Sequence, residues 1–176
     1  MSPLVILRPE PGASRTAAGA AALGLEVRRM RLFTIVPVEW DAPDPADFDA
    51  LVLTSANAVR NAGEQLATLR PLPVHAVGKA TADLALAAGF TTASVGAGGS
   101  RDMALPAGQR LLHLTGRDHV GTGAASAIAV YEARPIDRPE GVDALDGCVV
   151  AVHSRGAGRR LAELVGRRRS VRIASI

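Results

Sequence analysis

The stretch "ALVLTSANAVR", residues 50–60, contains the two patterns that decide the fold of this chain. A short apolar run ends abruptly in four small residues, and a helical pattern follows at once. Ser55 and Asn57 are of types that cap helix N-termini well, so a simple strand-to-helix connection is one explanation. The other explanation is that these small polar residues hold an anion or another ligand at the end of the strand.

The same kind of joint recurs along the chain. Four apolar runs end in Thr, Ser or Gly and lead onward, in "VLTSAN" (52–57), "HAVGKAT" (75–81), "HLTGRDH" (113–119) and "AVHSRGAG" (151–158). Strands that alternate with helices form a parallel sheet covered by helices, so the expected fold class is α/β. Ligands of such sheets bind at the carboxyl ends of the strands, where the N–H groups of helix starts favour anions. A series of such joints therefore favours ligand binding over capping alone.

An acidic, proline-containing stretch, "EWDAPDPADFD" (39–49), interrupts this alternation. Pro and Asp break strands and helices, so we interpret the stretch as a linker or loop. The strand and helix patterns on its two sides predict two lobes, whose strand ends face a common cleft.

The composition is that of an ordinary globular protein. Of 176 residues, 48% are hydrophobic and 21% are charged, while only 3% are aromatic. Few aromatics argue against the stacking platforms that single-stranded nucleic-acid binders use. The net charge of +3 is compatible with a polyanionic small substrate. The N-terminus has neither a basic leader nor a long apolar run, so we expect a cytoplasmic protein.

Several common catalytic signatures do not occur in the sequence. Dinucleotide GxGxxG, P-loop, HExxH and GxSxG motifs are missing in their required settings. Asp118 precedes His119, but no nucleophile context accompanies the pair. His75, His113 and His153 lie within predicted strands, where a hydrogen-bonded structural histidine is the expected role. No metal site is predicted.

Seven segments, taken in order, resemble uroporphyrinogen-III synthase of the bacterial type. Each segment alone is a loose motif, but together they span nearly the whole chain. They are "LRPEPGASRTAAGAAALGLEV" (7–27), "LFTIVPVEW" (32–40), "FDALVLTSANAVR" (48–60), "VHAVGKATADLALAAGF" (74–90), "LLHLTGRDH" (111–119), "AVYEARP" (129–135) and "VVAVHSRGAGRRLAEL" (149–164).

The resemblance implies a fold of two parallel-sheet α/β lobes of flavodoxin-like type. Lobe one maps to 1–36 plus 133–176, and lobe two is an insertion at 40–130. A pair of extended linkers joins the lobes, with a cleft between them. The stretches 39–49 and 130–136 are the expected crossings.

The resemblance also implies a reaction. The family cyclises hydroxymethylbilane, a linear tetrapyrrole, with loss of water and inversion of ring D, to give uroporphyrinogen III in haem biosynthesis. No metal or organic cofactor is implied, and neither nucleic acid nor membrane is an expected partner. We expect a monomer by default. The alternative from another class is a catalytically silent bilobal protein that binds a tetrapyrrole or another small molecule.

The resemblance assigns Tyr131, in "VYEA", to catalysis, where its phenol assists departure of the substrate hydroxyl. As a bare residue on a strand, a tyrosine more often has a packing role. The other matched positions are implied to bind substrate carboxylates through hydroxyl and backbone N–H donors. They are Arg8, Thr54, Ser55, Ala56, Gly78, Thr81, Thr115, Gly116 and Ser154.

The sequence departs from the family pattern at three places. Arg155 follows Ser154, where the family usually has a proline. The stretch 96–108 is shorter than expected. The family continues beyond "RIASI" with another Ser/Thr-rich joint, a helix and a strand, so lobe one is expected to lack its last elements here.

Overall fold

The computed structural model of the protein describes residues 2–10, 12–97, 103, 105–118, 124, 126–166 and 170–175. Its strands are β1 (Leu4–Ile6), β2 (Val27–Arg29), β3 (Phe33–Pro37), β4 (Ala50–Leu53), β5 (Val74–Ala76), β6 (Thr92–Val95), β7 (Leu111–Gly116), β8 (Ser126–Pro135), β9 (Val149–Val152) and β10 (Arg172–Ser175). Its α-helices are α1 (Gly12–Ala22), α2 (Ala56–Asn61), α3 (Lys79–Ala87) and α4 (Arg155–Val165). Short 3-10 helices cover Pro45–Asp47, Glu64–Leu69 and Val142–Ala144. None of these described helices has the length and apolar character needed to span a membrane.

The chain folds into two compact units. Unit 1 consists of Met1–Thr34 together with Arg134–Ile176, and unit 2 is Ile35–Ala133. Unit 2 is therefore an insertion in the chain of unit 1. Strands β3 and β8 each run across a boundary between the units.

Unit 1 contains a four-stranded parallel sheet in the order β2-β1-β9-β10. Its core follows from the alternation of side chains, since Val5 and Leu7 belong to the same buried cluster as Val150. Helix α4 adds Ala157 and Leu161, which lie one turn apart and so share its buried face. Numbered along the unit, the strand order is 2-1-3-4.

Unit 2 contains a six-stranded sheet in the order β3-β8-β7-β4-β5-β6. The pairs β4–β5, β5–β6, β4–β7 and β7–β8 are parallel. The central strand β4 reads "ALVL", and each of its residues is at most 1% exposed. A strand covered on both faces has to be apolar throughout, which is why this strand does not alternate.

The expected α/β class with parallel sheets is confirmed, although the strand order differs in detail from the flavodoxin type. Flavodoxin has the order 2-1-3-4-5, and the 2-1-3-4 order of unit 1 agrees with it. Numbered from β4, unit 2 has the order 3-2-1-4-5, with β3 added at one edge. The flavodoxin-like description therefore fits unit 1 and not unit 2. Apolar patterns indicate that a strand is buried but do not specify its neighbours.

The run "EVRRMRLFTIVPV" (26–38) predicts one long strand, but the structure divides it into β2 and β3. Strand β2 pairs with β1, whereas β3 belongs to the sheet of unit 2. The residues between them include Met30 and Leu32, which are buried in the core of unit 1. Apolar residues continue across this connection without a glycine or proline between β2 and β3, so the composition gives no sign of the change of sheet.

The acidic stretch 39–49 packs within unit 2 instead of crossing between units. Trp40 Nε1 donates to the carbonyl of Ala62 at 2.8 Å. Gln65 Nε2 donates to the Trp40 carbonyl at 2.6 Å, and Gln65 Oε1 accepts from Ala42 N at 2.7 Å. The crossing on this side is therefore β3. Pro and Asp indicated correctly that the stretch is irregular, but irregular backbone can still be fixed by side-chain hydrogen bonds.

The pattern "ANAVRNAGEQLATL" (56–69) predicts one helix, but α2 ends at Asn61. Gly63 has a φ of 69°, which lies outside the helical region. The chain then continues as the 3-10 helix Glu64–Leu69. A single glycine of this kind is enough to stop the helix because glycine adopts positive φ at little cost.

We expect Gly63→Ala to lower the free energy of unfolding by at least about 1 kcal/mol, because alanine at positive φ is strained. Gly19→Ala is the matched control, since this glycine lies inside α1 with no atom within 4 Å of an added Cβ. The control should raise the same quantity by about 0.5–1 kcal/mol. Urea denaturation followed by circular dichroism measures both. Equal effects of the two changes would contradict the role given to Gly63.

Candidate functional site

Both sheets contain a point at which the strand order reverses, and ligands of open parallel sheets bind beside such points. The reversal lies between β4 and β7 in unit 2, and between β1 and β9 in unit 1. Thr54 follows β4, and Thr115 and Gly116 end β7. Arg8 follows β1, and Ser154 follows β9. The predicted residues of each unit therefore lie at the carboxyl ends of the strands, where a ligand is expected.

In unit 2, the buried His113 is hydrogen-bonded to Thr54. Leu53 is in register with Leu114, which brings Thr54 beside Thr115 at the ends of their strands. His113 is 1% exposed, and its Nε2 lies 2.9 Å from Thr54 Oγ1. The two atoms share a hydrogen bond whose donor depends on the histidine tautomer. The expected structural role of His113 thus includes orienting a predicted substrate-binding side chain.

Both predicted serines are helix N-caps. Ser55 Oγ accepts from Asn57 N at 3.1 Å at the start of α2. Ser154 Oγ accepts from Ala157 N at 3.2 Å at the start of α4. A hydroxyl that accepts in this way still has its own O–H to donate. Capping and ligand binding are therefore compatible at the same oxygen.

The connection after β5 has a glycine, Gly78, at the N-cap position, where the connections after β4 and β9 have a serine. Gly78 is the N-cap of α3 and forms no side-chain cap hydrogen bond. Thr81 is 4% exposed, and its backbone N–H is bonded to the carbonyl of Gly78 at 3.0 Å. Thr115 at the end of β7 is similarly buried at 3% exposure. Any contact of these two threonines with a ligand would need only a small exposed part of each residue.

Tyr131 lies on β8 beside the end of β7. It is half-buried and packs against the apolar cluster of unit 2. Its ring lies against the main chain of Gly116, where an added Cβ would be 2.8 Å from ring carbons and 3.1 Å from the phenol oxygen. The phenol is therefore located at the same sheet edge as Thr54 and Thr115.

In unit 1, Arg8 is the main cationic candidate. Its guanidinium lies over Gly12 at the first turn of α1, where an added Cβ would be 2.6 Å from Cζ. Nη1 is 3.4 Å from Thr16 Oγ1 and donates a long hydrogen bond to it. Within the described residues, Arg8 forms no salt bridge with a carboxylate. Its charge is therefore available to an anionic ligand.

His153 lies next to this arginine, at the end of β9. Burial lowers the pKa of its imidazole, and the nearby charge of Arg8 lowers that pKa further, while a backbone hydrogen bond with Ala151 opposes both. Its Nδ1 is buried and has no hydrogen-bond partner among the described residues. At neutral pH His153 is therefore mainly neutral and adds little positive charge beside Arg8.

A small pocket of about 260 Å³ opens at the start of α4. This volume is below the roughly 300–1,000 Å³ of pockets that enclose a whole small-molecule ligand. The pocket is therefore too small to enclose a whole small-molecule ligand. Arg155 occupies the first position of α4 and adds positive charge there. The lining residues are Val152, His153, Ser154, Arg155, Gly158 and Ser175.

The predicted residues thus form one group in each unit. The group of unit 1 is Arg8 and Ser154, and the group of unit 2 is Thr54, Ser55, Ala56, Gly78, Thr81, Thr115, Gly116 and Tyr131. Their roles in binding and catalysis remain predictions. Sequence reasoning did not assign a site role to Gly12, His113 or His153. For His113 the usable signal was its position two residues before Thr115 in a buried strand.

Other features of the sequence lie outside this group or outside the described residues. Asp118 is exposed at the end of the described part of its loop, and its neighbour His119 is not described. The stretch 96–108 is described only at 96–97, 103 and 105–108. In the part of the chain that the structure describes, no cluster of three His, Cys, Asp or Glu side chains is arranged to hold a metal ion.

The fold resembles solved structures of one kind of enzyme. Uroporphyrinogen-III synthetase from Helicobacter pylori is 18% identical, with a TM-score of 0.66, over 99% of this chain and 84% of that chain. A mutant uroporphyrinogen III synthase from the extremely thermophilic bacterium Thermus thermophilus is 17% identical, with a TM-score of 0.58, over 99% of this chain and 84% of that chain. At such identities the likeness shows the shared fold. No curated protein sequence matches the chain.

The sequence itself matches a family model. The model describes uroporphyrinogen-III synthase HemD, and it matches residues 14–176, which is most of the chain. The match includes the joints after β4, β7 and β9, and it begins beyond β1 and Arg8. The chain belongs to the uroporphyrinogen-III synthase family.

Proposed function

We propose that this protein converts hydroxymethylbilane into uroporphyrinogen III in haem biosynthesis, by loss of water, ring closure and inversion of ring D. The observation that carries the proposal is the family match over residues 14–176, which includes hydrogen-bond donors at the strand-order reversal of each sheet. The reaction is that of a lyase that closes a macrocycle. We expect it to need neither a metal nor an organic cofactor.

The substrate carries acetate and propionate side chains, so its recognition is mainly recognition of carboxylates. The guanidinium of Arg8 and the hydroxyls of Ser55 and Ser154 are donors of the required kind. Hydrogen bonds to charged groups contribute roughly 1.5–3 kcal/mol each. We propose that donors of this kind bind carboxylates of the substrate, so that affinity is distributed over many contacts.

Tyr131 is our candidate for the chemical step. Its phenol can donate a hydrogen bond to the departing hydroxyl, which leaves as water and generates a cation on the substrate. The cation then has to meet the substituted carbon of the last ring. The half-buried position of Tyr131 beside Gly116 fixes the phenol, while the bound carboxylates hold the substrate chain.

We also propose that the protein works as a cytoplasmic monomer and binds neither nucleic acid nor membrane. Its single cysteine, Cys148, is a free thiol buried in the core of unit 1, which agrees with a reducing compartment. Sedimentation at several protein concentrations tests whether the protein is a monomer.

The direct test of the function supplies freshly made hydroxymethylbilane and determines the uroporphyrin isomers after oxidation. We expect mainly the type III isomer, in the presence or absence of EDTA. Type I product alone, formed at the spontaneous rate, would contradict the function and favour a silent tetrapyrrole-binding protein. Calorimetry would then measure whether the protein binds the substrate. Binding would support the silent tetrapyrrole-binding protein, and no binding would mean that the protein has no role in this pathway.

Ser154→Asp separates ligand binding from helix capping. Asp caps helices as well as Ser does, so the stability of the protein should change little. Its negative charge should repel a substrate carboxylate, and we expect KM to rise by about tenfold, equivalent to about 1.4 kcal/mol. Ser154→Asn is the matched control, because Asn also caps well and is neutral. A KM that is the same in the Asp and Asn variants would contradict carboxylate binding at Ser154.

Tyr131→Phe tests the catalytic assignment. Acid assistance contributes about 10²–10⁴-fold in general, and this substrate loses its hydroxyl readily, so we expect a loss in kcat of about tenfold to a hundredfold. Product formed on the enzyme should stay type III, with more type I from substrate released into solution. A Phe variant that is folded and keeps the parent rate would show that Tyr131 has a packing role only.

A further inference from the structure

The absence of a side chain at Gly116 makes room for the ring of Tyr131. An ideal Cβ on Gly116 would lie 2.8 Å from Cε2 and 2.8 Å from Cζ of the ring, and 3.1 Å from the phenol oxygen. Distances below 3.0 Å essentially never occur between a real Cβ and another heavy atom. The ring of Tyr131 therefore occupies the space that a side chain at position 116 would need.

Backbone conformation does not explain a glycine at this position. The described glycines with positive φ are at other positions, such as Gly108 and Gly141, and Gly116 is not among them. It ends strand β7 in a conformation that any residue can adopt. The space taken by the ring of Tyr131 is the feature that requires a glycine at this position.

A bulge in the pairing of β7 with β8 directs Tyr131 toward Gly116. Thr115 is in register with Ala129, but Gly116 is in register with Tyr131, so β8 has one extra residue between these pairs. Bulges of this kind re-aim a side chain. The extra residue is Val130, which is fully buried in the apolar cluster of unit 2.

Hydrogen bonds from two neighbouring segments hold the main chain of β8 at the bulge. Arg117 N donates to the Tyr131 carbonyl at 2.9 Å, and Val38 N donates to the Val130 carbonyl at 3.2 Å. Arg117 Nε also lies 3.3 Å from Glu132 Oε2 in a salt bridge. Because the strand is held in this way, a methyl group at position 116 is accommodated mainly by rotation of the Tyr131 ring.

We propose that Gly116 is a positioning residue, which acts by leaving the space that places the phenol of Tyr131 at the sheet edge. This inference rests on the proposed catalytic function of Tyr131. It differs from the role that family resemblance gives Gly116, which is contact with the substrate. A misplacement of about 1 Å in a catalytic group can cost about a hundredfold in rate, so a single methyl group is a sufficient perturbation.

The first experiment does not depend on activity. Tyr131 is the sole tyrosine of the chain, so the ring signals of labelled tyrosine in an NMR spectrum report its surroundings alone. We expect Gly116→Ala to shift these signals clearly. Gly19→Ala, which has no atom within 4 Å of the added Cβ, should leave them in place. Unshifted ring signals in a folded Gly116→Ala variant would overturn the inference.

The second experiment is a double-mutant cycle on the rate. We expect Gly116→Ala to lower kcat about as much as Tyr131→Phe, by about tenfold to a hundredfold, with little change in KM. In a Tyr131→Ala background the added methyl has room, so Gly116→Ala should cost nothing further there. Additive losses in kcat, or a rise in KM that persists in that background, would assign Gly116 to substrate contact and overturn the inference.

The two experiments distinguish a failure of this inference from a failure of the proposed function. If the parent protein makes no type III product, the function fails, yet the NMR shift still tests the placement of the ring by Gly116. If Gly116→Ala does not fold alone, the double variant Gly116→Ala/Tyr131→Ala should be about as stable as Tyr131→Ala, because the clash is removed. A double variant that is clearly less stable than Tyr131→Ala would overturn the inference.

Discussion

The parallel pairing of β4 with β7 is the constraint on which the rest of unit 2 depends. It joins segments that are far apart in the chain, and it buries both strands completely. The register of Leu53 with Leu114 places Thr54 beside Thr115, and it places His113 within hydrogen-bond distance of Thr54. A slip by one residue would turn every side chain of the strand to the opposite face and separate His113 from Thr54, so the candidate site depends on this register.

The residues assigned to binding also have structural roles. This combination explains why each motif tolerates several residue types. Ser154 caps α4, Ser55 caps α2, and Gly116 accommodates an aromatic ring. Each role needs a small residue or a hydroxyl, but several residue types satisfy it. Recognition of the family therefore required the order of many joints along the chain, since no single joint is specific.

The two units differ in how their charges are arranged near the site. In unit 2, Lys79 is paired with Asp83 at 2.9 Å, and Arg117 with Glu132 at 3.3 Å, so these cations are already compensated. In unit 1, Arg8 is bonded to the hydroxyl of Thr16, and the lowered pKa of His153 keeps that imidazole mainly neutral. In unit 1, Arg8 and Arg155 are therefore the expected charged donors to a carboxylate, and neutral donors are expected to predominate in unit 2.

The sequence by itself determined the α/β class, most strands and helices, and the joints that carry the site, because apolar runs, N-caps and strand-end residues are local properties. It did not determine the strand order of unit 2 or the division of 26–38 between two sheets, because the choice of neighbouring strands depends on contacts between distant segments. It also assigned Gly116 to the substrate, while only the tertiary structure placed the ring of Tyr131 over it. That contact arises from a bulge in one pair of strands, and periodicity in a single sequence carries no information about the register between two strands.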